Sequence, residues 1–207
     1  MTSSSKLRKL FRNEWVRTGI MLAIVLIAFF SLWFGIRYTL DTDYPLLAVA
    51  SGSMEHTLNI GDLIIVHGVS NFSQIYTHYG NGDIIVFHTY EPGGPNIKLG
   101  DGSDELIVHR AINKTLRFDS YSGKEVLFFT TKGDNNPVAD PGTILTEQGV
   151  PEYYVVGIVI GSVPYVGNIP LFIRTPTGIE TILVLIILVI CAEFVYSAYK
   201  EKRKPPA

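Results

Sequence analysis

Hydrophobic positions fall into three regimes along this chain. From Gly19 to Ile36 no residue is charged, and the run from Ile20 to Phe30 is wholly apolar. As helix, the stretch between Arg17 and Arg37 measures about 28 Å, close to the thickness of a hydrocarbon core. A transmembrane helix is therefore predicted over 19–37, with Trp33 and Tyr38 as interfacial anchors. Near the other end, Thr181 to Ala192 is an uncharged run flanked by Glu180 and Glu193. Continued to Tyr199, it also reaches about 28 Å. The unbroken Leu, Ile and Val residues from Ile182 to Ile190 each return about 0.3–0.6 kcal/mol, against up to about 3 kcal/mol for one glutamate off the bilayer centre. A second span is predicted over 179–199, with a helix lying in the interface as the alternative.

Between these helices the period changes. Leu63–Val66, Ile84–Phe87, Leu106–Val108, Val126–Thr131 and Tyr153–Ile160 are short β-branched and aromatic runs bounded by Gly, Asn, Asp and Pro. Such runs read as strands, and no long amphipathic helical period interrupts them. The expectation for 38–175 is a mainly β fold, a partly closed sheet. Glu91 to Gly102 reads as a surface loop and Asp119 to Lys124 as a turn.

Charge adds topology. Lys6, Arg8, Lys9, Arg12 and Arg17 precede the first run, and Lys200, Lys202, Arg203 and Lys204 follow the last. From Arg37 to Arg174 there are fifteen acidic residues and eight basic ones. Basic clusters at both ends place basic tails at 1–18 and 200–207 in the cytosol and the middle domain on the far side, by the positive-inside rule. A cleavable leader is the competing reading of the first run, but a cut at Ala48 or Ala50 would fall beside the residues considered next. No basic patch suggests nucleic acid. The single cysteine, Cys191, lies inside an apolar run, so no intrachain disulfide forms. The five histidines show no metal-ligand spacing, and no metal is expected.

The candidate chemistry comes in three blocks: Ser51-Gly52-Ser53-Met54, then Ile107-Val108-His109-Arg110, then Lys132-Gly133-Asp134-Asn135-Asn136-Pro137-Val138-Ala139-Asp140. A serine hydroxyl becomes a nucleophile when a base takes its proton, and an imidazole serves once a carboxylate fixes its tautomer. The chain therefore reads as a membrane-bound serine hydrolase. Asp134 and Asp140 compete for the carboxylate position, and Asp134 in Gly-Asp-Asn-Asn suits a turn residue that organises its own backbone. Lys132 or Lys98 as base would make a Ser-Lys peptidase instead, and an inactive membrane-tethered β-domain for assembly or surface attachment is a further alternative.

Together, the blocks resemble type I signal peptidase of the archaeal and endoplasmic-reticulum kind, whose bacterial relatives carry lysine where this chain has His109. Gly61–Val66, Gly82–Phe87 and Gly157–Gly167 are similar to later segments of that family, so the likeness runs from about Ala48 to Ile169. The family usually has proline where this chain has His56, a departure that bears on loop rigidity rather than on chemistry. The resemblance implies a membrane serine endopeptidase removing N-terminal signal peptides from exported proteins. It puts the nucleophile on Ser53, the general base on His109 and the orienting carboxylate on Asp140, with Asp134 supporting and Ser51 in the oxyanion hole. It implies no cofactor. Its expected partners are signal-peptide-bearing precursors, membrane lipid and translocation machinery, in the cell membrane or, in a eukaryote, the endoplasmic-reticulum membrane. Substrate would bind extended, small side chains entering pockets at the first and third positions before the cut. Val49, Leu58 and Val86 are candidates for the lining.

Overall fold

The computed structural model describes residues 14–88, 106–120, 122–140 and 149–202. The loop expected over 91–102, Lys98, the outer parts of both basic tails and Tyr121 of the expected turn lie outside the described residues. Two long helices flank a β domain: α1 (Glu14–Thr39) and α3 (Pro176–Lys202). The predicted stretches 19–37 and 179–199 fall within them. Val16–Thr39 and Pro176–Tyr196 are long and apolar enough to cross a bilayer. Their Leu, Ile, Val and Phe side chains are exposed around the helices rather than gathered on one face.

The sheet has seven strands: β1 (Leu46–Ala48), β2 (Leu63–His67), β3 (Ile84–His88), β4 (Leu106–Asp119), β5 (Lys124–Lys132), β6 (Val150–Pro151) and β7 (Val155–Val163). Their order is β1-β2-β7-β3-β4-β5-β6, every pair antiparallel, in a curled sheet. A short helix α2 (Asn168–Arg174) joins the domain to α3.

β3 explains why its sequence is an unbroken apolar run. Ile85 and Phe87 point into one buried cluster with Ala111, Phe129, Val150 and Tyr154. Val86, on the opposite face, joins Val49, Met54, Leu58, Ile64 and Val66. The sheet thus carries a core on each side of its central strand, and the two cores meet the catalytic candidates from opposite directions. Three strand pairings contain a register shift, one of them between Ala111 and Asn113 of β4, just past His109. Extra residues of this kind bend a strand and re-aim its side chains.

Candidate active site

Ser53 lies in a short 3₁₀ turn, Gly52–Met54, that follows β1. The turn is rooted by Met54, which is 2% exposed in the second core. Upstream, the backbone of Val49 is pinned at both ends by Val49 N–H to Asp62 O (2.9 Å) and Gly61 N–H to Val49 O (2.9 Å). Ser53 is thereby held beside a buried anchor while its own side chain faces a cleft. The position a β-carbon would occupy at Gly52 is filled by the Glu55 carboxyl, 3.0 Å away, so the glycine here makes room for Glu55.

His109 is buried on β4, edge-on to Phe87 at 6.4 Å between ring centroids. Its Nε2 is 3.0 Å from Ser53 Oγ and its Nδ1 is 2.6 Å from Asp140 Oδ2. An ionised carboxylate only accepts, so Nδ1 carries the hydrogen and Nε2 presents its lone pair to the serine hydroxyl. Asp140 is fixed in turn by its N–H to Thr131 O (2.9 Å) and by the Thr131 hydroxyl donating to Oδ2 (2.7 Å). Burial alone would raise the Asp140 carboxyl. Donation from His109, Thr131 and Asn136 outweighs that and holds it below the usual carboxylate range.

Asp134 has a different environment from the one its turn motif suggests. Its oxygens accept from Arg110 Nε (2.8 Å) and Nη2 (2.5 Å) and from the Thr57 hydroxyl (2.6 Å), rather than from its own turn. The Arg110 guanidinium holds this carboxyl low against the opposing effect of burial. Arg110 also donates to Gly82 O at 2.7 Å, tying β4 to the segment ahead of β3. Ser51 Oγ stands 3.4 Å from Ser53 Oγ, at the outer limit of a hydrogen bond. Lys132 Nζ donates to Gly133 O (3.2 Å), while the Ser53 hydroxyl is within hydrogen-bond reach of His109. His56 has a left-handed backbone, φ 48°.

The cleft beside Ser53 and His109 measures about 350 Å³. Ala48, Val49, Ala50, Leu58, Leu106 and Val108 give it an apolar lining, and Ser51, Met54 and Asn136 line it as well. Of the three aliphatic residues expected there, Val49 and Leu58 line it. Val86 is instead fully buried beneath. Thr131, Asn135 and Asn136 were not anticipated. Thr131 left a trace: it is a polar residue on the same inward parity as Phe129, 2% exposed.

The family pattern described as "Signal peptidase, peptidase S26" matches residues 12–112, a stretch that holds Ser53 and His109. The signal peptidase complex catalytic subunit of Leptosphaeria maculans is 32% identical over 153 residues, 73% of this chain and 76% of that protein. This chain belongs to the signal peptidase family. The corresponding subunit of Tuber melanosporum is 30% identical over 185 residues, 86% of this chain and 90% of the relative. That of Schizophyllum commune is 32% identical over 176 residues, 77% and 82% respectively. The peptidase is accordingly a serine protease that removes signal peptides, and its substrates are precursors bearing them.

Proposed function

We propose that the peptidase works through a Ser53, His109, Asp140 triad by acyl-enzyme chemistry. The reading is carried by a single observation: one imidazole sits within hydrogen-bond reach of both a cleft-facing serine and a half-buried carboxylate. Ser53 Oγ attacks the scissile carbonyl as His109 Nε2 takes its proton. His109 then returns that proton to the departing amine of the mature protein, leaving the signal peptide esterified to Ser53. Water enters, gives its proton to the same nitrogen, and attacks the ester to release the signal peptide. Asp140 keeps the imidazole in the correct tautomer and stabilises the imidazolium.

The Ser53 backbone N–H and the Ser51 hydroxyl would face the developing oxyanion, where one donor is worth about 3 kcal/mol. Asp134 supports the site at one remove, holding Arg110 and Thr57 to the turn that abuts Ser53. An extended signal-peptide end would lie in the apolar cleft with small side chains inward.

The topology belongs to the same proposal. Helices over 19–37 and 179–199 span the membrane, the tails at 1–18 and 200–207 are cytosolic, and the domain over 38–175 faces away from the cytosol. The membrane is the cell membrane or that of the endoplasmic reticulum; the relatives' descriptions, as catalytic subunits of a signal peptidase complex, support work within such a complex, and translocation machinery is the further partner proposed.

The deciding experiment uses the purified full chain in lipid vesicles with a fluorescent signal-peptide substrate. The wild type cleaves, Ser53→Ala does not, and Ser51→Ala cleaves slowly. Normal turnover by a folded Ser53→Ala protein would overturn the assignment.

A further inference from the structure

Four strongly hydrogen-bonding side chains line the otherwise apolar cleft, and three of them have a part in the proposed chemistry: Ser53, His109 and Ser51. Asn136 is the fourth, and it is half-buried. The turn that carries it sets its place. Asn136 N–H donates to Gly133 O (3.0 Å), and the side-chain amide lies over the Gly133 α-carbon, its Nδ2 2.7 Å from where a β-carbon would be. The same amide donates to Asp140, as the least of that carboxylate's three side-chain donors after His109 and Thr131. A carboxylate only accepts, so the network assigns Nδ2 to the Asp140 side.

That orientation decides what the cleft is offered. With its nitrogen turned to Asp140, Asn136 presents its Oδ1, which accepts from no group among the described residues. A peptide entering an apolar cleft brings one backbone N–H per residue, and each N–H left buried without an acceptor weakens binding. The aliphatic walls supply no acceptor. Asn136 supplies one within the same cleft as the nucleophile.

We propose that Asn136 is a substrate-positioning residue: its side-chain oxygen takes a backbone N–H of the signal peptide, upstream of the cut, while its nitrogen keeps Asp140 turned to His109. One amide thus joins the bound chain to the carboxylate behind the base. A peptide seated in register steadies that amide, and one lying out of register does not. The proposal rests on the Ser53, His109, Asp140 triad and adds a substrate contact to it.

The test alters the substrate rather than the fold. Three versions of a fluorescent signal peptide each replace one backbone N–H with an ester oxygen, at the first, second or third residue before the cut, and are given to the full chain in lipid vesicles. With the wild type, one of the three should lose about tenfold in kcat/KM through the missing hydrogen bond. In Asn136→Ala the ester at that position should cost no more than about twofold, while the other two cost what they do in the wild type, the signature of a direct coupling. Asn136→Asp, which keeps an acceptor and loses the donor, should retain the ester penalty while turnover falls. Should Asn136→Ala cleave too slowly to follow, the same penalties are read as peptide Kd by fluorescence anisotropy, comparing Ser53→Ala with Ser53→Ala/Asn136→Ala. Ester penalties that are the same with and without Asn136→Ala at all three positions would show a merely structural asparagine and overturn the proposal. Near-normal turnover by Asp140→Asn would instead overturn the triad, so the two failures are told apart.

Discussion

The α-carbon of Gly133 stands so close to the Ser53 carbonyl that a β-carbon there would lie 2.6 Å from the oxygen. The contact continues through Asn135, whose N–H donates to Ser53 O (2.9 Å) and whose side chain donates to Gly52 O (3.0 Å). One turn thus braces the serine loop from behind and leads, five residues beyond Asn135, to Asp140.

Gly133→Ala should therefore cost activity as well as stability. The added methyl meets the Asn136 amide (2.7 Å), which can turn aside, and the Ser53 backbone carbonyl, which cannot, so the turn must move away from Ser53. Overpacking of this kind costs about 1–3 kcal/mol. Turnover should fall at least tenfold, with a lower unfolding midpoint; a variant with wild-type turnover and midpoint would show that the turn does not set the position of Ser53.

The two aspartates should separate cleanly. Asp140→Asn should fold, bind precursor and lose about 10⁴ in turnover, because asparagine favours the wrong imidazole tautomer. Asp134→Ala should act first on stability, by about 3–5 kcal/mol, since it strands the largely buried Arg110. Paired thermal melts and single-turnover rates distinguish the two, and near-normal turnover in Asp140→Asn would remove it from the triad.

Acid should unfold the domain by way of these carboxylates. Both are held below their ordinary values in the folded protein, so between the two states' pKa values the unfolded chain binds more protons. Their stabilisation is complete above the unfolded value, near pH 4, and is lost as pH falls through the lower folded values. Arg110→Gln removes the main cause for Asp134 and should move acid unfolding to higher pH. Urea midpoints measured between neutral and acid pH check the direction.

His56 makes a prediction against the family habit. Proline is restricted to φ near −65° and cannot adopt the 48° seen here. His56→Pro should lower the unfolding midpoint by forcing the loop to rebuild, whereas His56→Gly, free at positive φ, should not. A stabilised His56→Pro protein would show that the loop readily takes the other conformation.

Much of this was legible in sequence, unevenly. Ile84–Phe87 was legible as a strand because it is apolar on both faces and serves a core on each, and Leu63–Val66 because it is wholly β-favouring, though only Ile64 and Val66 enter a core. The run at Leu106 was recognisable only at its start. β4 continues to Asp119, but its outer half, near Lys114, Arg117 and Phe118, is wet and lacks the apolar signal. β1 escaped notice because three residues carry too little pattern, and Tyr153-Tyr154 complete the 3₁₀ turn Glu152–Tyr154 rather than open a strand. At the site, serine, histidine and aspartate blocks were readable as chemistry. Thr131 and Asn135 act through strand pairing and turn geometry, which no spacing along the chain reveals.

The placement of the two cores has a consequence for when the peptidase can cut at all. Ser53 is carried by Met54 on one side of β3, while His109 leans on Phe87, on the other. A copy in which only one side has consolidated would hold a serine without its base, or a base without its serine. On the proposed triad, cutting therefore needs both cores at once, and loosening the packing on either face of β3 should silence the peptidase.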